Sequence, residues 1–236
     1  IILIFLLSMG YFFQTEISSL RRANKQETSV KRLRFVGVGD NLIHDSIYNA
    51  ADRRKGLFGD GQYDFDHLYE NIKPELDQYI NQESIIAGDK FGIGTYPHFN
   101  TPQAMIPALT RAGFNMINMA NNHSLDKGSW AIPESIKLWD QTDVYHTGVF
   151  ASQEDRDKPV IIDKNGIKVG FLCYTYGTNG IAPDTDYRVS YLDEEKIRKD
   201  VANIKDKVDF ILVSCHWGEE GIQALDNTQK KYSKLF

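Results

Sequence analysis

Residues 209–218 read DFILVSCHWG. Phe210 to Val213 is an unbroken apolar run, too short for a helix and of the kind a strand buried on both faces uses. The run closes on Ser214-Cys215-His216-Trp217-Gly218, and an imidazole at the end of a buried strand needs a partner. Working outward, residues 193–206 are charged, with Ile197, Val201 and Ile204 on one side of an amphipathic helix. Val160–Asp163 and Ile167–Tyr174 flank Lys164-Asn165-Gly166, and Asn-Gly between apolar runs predicts a hairpin. Met116–Ala120 reads as a short strand before Asn121-Asn122-His123, and Arg32–Val38 as another that stops at Gly39-Asp40. Three further helices are expected. One covers Phe65–Gln78, capped by Asp64 or Asp66 and kinked at Pro74. The second covers Thr101–Ala112, with Thr101 as cap, Pro102 at the first position and Gly113 as stop. The third covers Ser129–Asp140, with Ser129 as cap and Trp130, Ile136 and Trp139 turned to the core. Strands alternating with helices, plus one hairpin, predict an α/β sandwich around a mixed sheet.

The chain has 236 residues, 27 basic and 32 acidic, for a net charge of −5. With 42% apolar and 25% charged residues it is of ordinary globular composition, which excludes a disordered chain, a collagen-like fibre and a multi-span membrane protein. The acidity argues against a nucleic-acid backbone as partner, since phosphate contacts need clustered Lys and Arg. Two cysteines do not make a disulfide framework, and Cys173 and Cys215 fall in predicted strands as small apolar side chains. The outlier is residues 1–13, IILIFLLSMGYFF, which carry no charge. As a helix they would span roughly 20 Å against a hydrocarbon core of roughly 30 Å. A polar stalk, residues 14–31, follows. The sequence does not begin with Met, so its start is expected to be cut, and 1–13 reads as a shortened membrane anchor, a signal segment or a buried core helix. The remaining residues, 32–236, are expected to form one domain.

Four strand ends carry polar signatures: Gly39-Asp40-Asn41 with His44 nearby, Asn81-Gln82-Glu83-Ser84, Asn121-Asn122-His123, and His216. Ligands bind at the carboxyl ends of strands in open α/β sheets, so these four converge if the strands are parallel neighbours. Asp, Glu, Asn and His without thiolates suit a divalent ion such as Mn, Fe, Zn or Mg. Two carboxylates and an amide oxygen can hold a metal pair, and a His not used as ligand can protonate a leaving oxygen. Each residue also has a plainer role: Asp40 in a turn, Glu83 at the surface, Asn121 and Asn122 as turn residues, and His123 as a hydrogen-bonded imidazole. Gly88, Gly92 and Gly94 lack the strand-before, helix-after context of a phosphate loop. His98 either lines the cleft rim or packs, His67 and His146 read as surface or packing residues, and neither Ser46 nor Ser214 sits in a nucleophile context.

Gly39-Asp40, Asn81-Gln82-Glu83, Ala120-Asn121-Asn122-His123-Ser124-Leu125-Asp126 with Gly128, and Cys215-His216-Trp217-Gly218 resemble the capsule-synthesis CapA family, also called the poly-γ-glutamate biosynthesis (PgsA-type) family. That family lies within the calcineurin-like metallophosphatase superfamily, and the resemblance runs from about Leu33 to the last residue. It implies a four-layer α/β/β/α sandwich with mixed sheets. It implies Asp40 as a ligand of a first metal, Glu83 as the acidic, bridging ligand, Asn122 as a ligand of a second metal and His216 as a further ligand. His123 would be the catalytic acid or oxyanion stabiliser. The family also has a later Gly-His-x-x-His type motif, so the domain is expected to be incomplete at its carboxyl end. The strand before Asn81 is expected to be degenerate, because only Gln78, Tyr79 and Ile80 separate the predicted helix from the motif.

The expected function is that of a membrane-anchored, extracytoplasmic protein of capsule or poly-γ-glutamate biosynthesis and export, either a metal-dependent hydrolase or a non-catalytic component of the synthesis complex. Its implied partners are the anionic polymer, membrane-embedded synthesis subunits and the lipid bilayer, with no nucleic acid. The alternatives are a metal-dependent phosphoesterase or γ-glutamyl polymer hydrolase not dedicated to capsule export, and a cytoplasmic phosphodiesterase.

Overall fold

The computed structural model describes residues 30–54, 56, 59–71 and 78–236. The anchor expected at 1–13 and nearly all of the stalk lie outside these residues, as does the segment 72–77. Among the described residues no helix is long and apolar enough to cross a membrane.

Two sheets organise the chain. The first has the order β1 (Val36–Asp40), β2 (Gln78–Asn81), β3 (Phe114–Asn118) and β4 (Tyr145–Thr147), all parallel. The second has the order β5 (Val160–Lys164), β6 (Ile167–Thr175) and β7 (Phe210–His216). Here β5 and β6 are the predicted hairpin, antiparallel across a turn whose Asn165 and Gly166 hold φ of 55° and 69°. Left-handed φ at both central residues suits the right-handed twist of the two strands. β7 lies parallel to β6. The helices are α1 (Asp45–Arg53), α2 (Asp66–Tyr69), α3 (Met105–Ala112), α4 (Ile132–Trp139), α5 (Gln153–Asp157), α6 (Glu194–Ile204) and α7 (Asn227–Tyr232).

Strand alternation sends successive side chains to different clusters. Ile117 joins Met105, Leu109, Ile132 and Trp139 in a core between the first sheet and its helices. Met116 instead joins Val169, Phe171, Cys173 and Leu212. On β6, Leu172 and Tyr174 turn the other way, to Ile197 of α6 and Tyr232 of α7. The result is a mixed α/β fold with two β-sheets flanked by helices.

Several local expectations shift. β7 is only half-buried and Phe210 is 43% exposed, because the strand has one paired neighbour among the described residues. The first sheet is purely parallel, and only the second is mixed. α3 begins at Met105 rather than Thr101. Thr101 is fully buried and its hydroxyl bonds to Ser84 Oγ at 2.6 Å, so it ties down a loop in place of capping. Ser129 likewise accepts from the Asp184 N–H and opens a short 3₁₀ turn before α4. Trp139 is in the core, but Trp130 is 69% exposed and packs on Phe91. The helix expected over 65–78 is four residues long in α2, and the strand expected to be degenerate before Asn81 is β2, four residues that overlap the predicted helix only at Gln78 and lie between β1 and β3.

Candidate functional site

Parallel pairing aligns the strand ends. Asp40 registers with Asn81, and Asn81 with Asn118, at the carboxyl ends of β1, β2 and β3. His216 ends β7 in register with Thr175. The Asn81 amide joins the two sheets: Nδ2 donates to Asp40 Oδ1 at 2.6 Å and lies 3.2 Å from His216 Nδ1.

His216 is the hub. Its Nδ1 lies 3.4 Å from Asp40 Oδ1, its Nε2 is 3.7 Å from Glu83 Oε1, and Nε2 is 3.0 Å from Asn122 Oδ1. Asp40, Glu83, Asn122 and His216, read from separate stretches of sequence, are thus brought together. The hydrogen bond to His216 holds Asp40 below the usual carboxylate range, helped by Asn81 and opposed by burial. Burial pushes Glu83 up, against the pull of His216. Neither carboxylate pairs with a Lys or Arg among the described residues; both face the one imidazole. The buried Asn81 Oδ1 has no hydrogen-bond partner.

Among the described residues no group of three or more His, Cys, Asp or Glu stands in metal-ligating geometry. The donor set nonetheless fits a divalent ion chemically. It offers two carboxylates without a cation, an imidazole nitrogen, an amide oxygen at 3.0 Å from it and a second amide oxygen left unpaired. Oxygen and imidazole donors this close can share an ion with ligand distances of about 2.0–2.2 Å.

His123 sits in a turn built by its neighbours. Asn121 is buried: its Oδ1 accepts from the His123 N–H at 2.9 Å and its Nδ2 donates to the Gln82 carbonyl at 2.7 Å. The Ser124 hydroxyl donates to the Met119 carbonyl at 2.7 Å. The His123 ring packs edge-on to Phe99, and its Nδ1 pairs with Asp126 Oδ2 at 2.7 Å. With Asp126 ionised, the Nδ1 proton is held there and Nε2 is the nitrogen left to exchange a proton. Asn179 Oδ1 accepts from Asn122 Nδ2 at 3.3 Å, which ties the turn after β6 to the rim.

Other expected residues stay apart from this cluster. His67 bonds the Asp64 carbonyl and His146 bonds Asp140, each at 3.0 Å. His98 is exposed. Ser214 bonds Tyr79 and Asn118 between the sheets. Sequence reasoning assigned no role to Asn81, Asp126, Tyr176 or Asn179. The last two stand in Thr175-Tyr176-Gly177-Thr178-Asn179-Gly180, a polar turn at the end of β6, so the strand-end rule applied to the hairpin's second strand finds them.

Fold and site together define an α/β protein with a carboxylate, amide and imidazole cluster at the shared carboxyl rim of its strands. Residues 34–236 match the family model described as "Bacterial capsule synthesis protein PGA_cap", and the chain belongs to that family. It is 23% identical over 204 residues to the capsule biosynthesis protein CapA of Bacillus anthracis, covering 80% of this chain and 47% of the relative. It is 25% identical over 126 residues to the PGA biosynthesis protein CapA of Bacillus subtilis (strain 168), covering 52% of this chain and 33% of the relative. The chain thus spans less than half the length of these curated relatives.

Proposed function

We propose that this chain acts in capsule or poly-γ-glutamate biosynthesis as a membrane-anchored, extracytoplasmic protein with a metallophosphatase-like metal site. The carrying observation is the pair of carboxylates, Asp40 and Glu83, set without Lys or Arg on opposite nitrogens of His216. Like charges gathered this way call for a cation. Family membership supports the biological setting. Three apolar clusters, one outside each sheet and one between them, support a four-layer sandwich. The apolar residues 1–13 support the anchor.

Asp40, Glu83, Asn122 and His216 would hold divalent ions, a pair in the intact protein. Bound there, such ions supply Lewis-acid activation of an ester or amide oxygen. His123 delivers a proton from Nε2 to the leaving atom, while Asp126 fixes Nδ1 and steadies the imidazolium. The substrate is a phosphoester or a γ-glutamyl linkage. Elemental analysis of the full-length protein tests the reading. Wild type is expected to retain Mn, Fe, Zn or Mg, and Asp40→Ala and His216→Ala are expected to lose it. A metal-free wild type, purified without chelator and unable to take up Mn²⁺, overturns it.

A further inference from the structure

The turn after β6 lies on the same rim, yet neither ligation nor proton transfer uses it. It is pinned from beneath. The Thr178 hydroxyl donates to the Ile181 carbonyl at 2.6 Å and meets the Tyr191 hydroxyl at 2.8 Å, and the Gly177 carbonyl accepts from the Thr175 hydroxyl at 3.1 Å. Asn179 holds a left-handed φ of 52° to reach Asn122. Asn tolerates this conformation far better than most residues.

The pinned turn presents Tyr176. Its ring stands near-parallel to the His216 imidazole, with centroids 5.9 Å apart and planes 26° apart, yet the residue is 49% exposed. The phenol stands beside Asn122, and as a hydroxyl it can donate a hydrogen bond outward. Among the contacts of the described residues, the rim carboxylates and His216 meet no Lys or Arg, so an anion held there finds in Tyr176 a neutral donor beside the metal ligands.

We propose that Tyr176 is a ligand-contacting residue: its phenol donates a hydrogen bond to an anionic oxygen, phosphoryl or carboxylate, of the molecule bound at the rim, and its ring forms one wall of that seat. This rests on the metal-site reading and names how the site grips its ligand.

Calorimetric titration of the full-length protein tests it, with inorganic phosphate and with tri-γ-glutamate as probes, each in Mn²⁺ and in EDTA. Tyr176→Phe keeps the ring and removes the donor. It is expected to weaken the bound probe about tenfold, as loss of a hydrogen bond to a charged group does, and to leave Mn²⁺ affinity unchanged. The probe that responds identifies the source of the oxyanion. As a readout independent of any variant, the ring resonances of Tyr176 in labelled wild type are expected to shift on saturation. Unchanged affinity of Tyr176→Phe for both probes, unshifted resonances, or no binding of either probe in either condition overturns the proposal. Failure of wild type to bind Mn²⁺ overturns the metal reading instead; a Tyr176-dependent affinity measured in EDTA then leaves the Tyr176 proposal standing.

Discussion

Asp126 carries two contacts on one oxygen: Oδ2 accepts from the Phe99 N–H and pairs with His123 Nδ1, both at 2.7 Å. Its side chain is 1% exposed and its Oδ1 has no partner, so the group has no freedom to rearrange toward water. Asp126→Asn preserves shape and removes the charge. The amide can satisfy the Phe99 N–H, but it no longer holds the Nδ1 proton of His123 with a full charge. The expected cost is about 1–3 kcal/mol of stability, seen in urea melts. Polymer production in a complemented deletion strain should fall to the level of His123→Ala. Full production by Asp126→Asn beside an inactive His123→Ala would remove Asp126 from the proton path, and full production by His123→Ala would remove the path itself. Asp40, His123 and His216 were legible because charged or titratable residues at strand ends are chemically conspicuous. Asn81 carried no such mark. Its importance comes from the second sheet bringing His216 within 3.2 Å, a tertiary event that no local pattern encodes.

At the scale of elements, close approaches decide which substitutions the sheets accept. Gly148 follows β4 at a φ of 108°, and a Cβ there would meet the Ala120 nitrogen at 2.5 Å and its Cβ at 2.7 Å. Ala120 leads directly into Asn121-Asn122-His123, so strain is passed to the rim. Gly148→Ala is expected to cost about 3 kcal/mol or more, from left-handed strain plus overlap with backbone. In Gly170→Ala the new Cβ would meet Ile204 Cδ1 at 2.6 Å, a side-chain atom rather than backbone. About 1 kcal/mol is expected there. In Gly39→Ala it meets nothing within 4 Å, and a change within about 0.5 kcal/mol is expected. Chemical denaturation of the three variants checks the order; a Gly148→Ala as mild as Gly170→Ala would mean the β4 end relaxes freely. The elements themselves were legible in proportion to their local chemistry. The Asn-Gly turn and the amphipathic α6 are written in short stretches and appear where expected. β2 was legible only as a degenerate strand because four residues offer too little periodicity, and its strand state comes from pairing with β1 and β3 on either side. Thr101 misled for a related reason: a buried Ser84 hydroxyl competes for the side chain that would otherwise cap a helix.

For the whole molecule, the net charge of −5 constrains what the rim can hold. Poly-γ-glutamate carries a carboxylate on every residue, so the chain's mean field repels it, and repulsion between exposed charges falls within about 10 Å at 0.1 M salt. Salt screening alone removes that barrier without creating attraction. A pair of divalent ions at the rim would reverse the local sign, because their summed charge exceeds that of Asp40 and Glu83. The binding of polymer should therefore depend on the ion in a way that ionic strength cannot imitate. In sedimentation assays with the full-length protein, polymer is expected to co-sediment in Mn²⁺, and the association should drop at least tenfold in EDTA at matched ionic strength. Asp40→Ala is expected to behave in Mn²⁺ as wild type does in EDTA, and raising monovalent salt in EDTA should not restore binding. Equal binding with and without the ion would show that the polymer is held elsewhere, by a surface whose charge opposes the mean. The rim would then act on a smaller substrate, and the −5 charge would no longer bear on its chemistry.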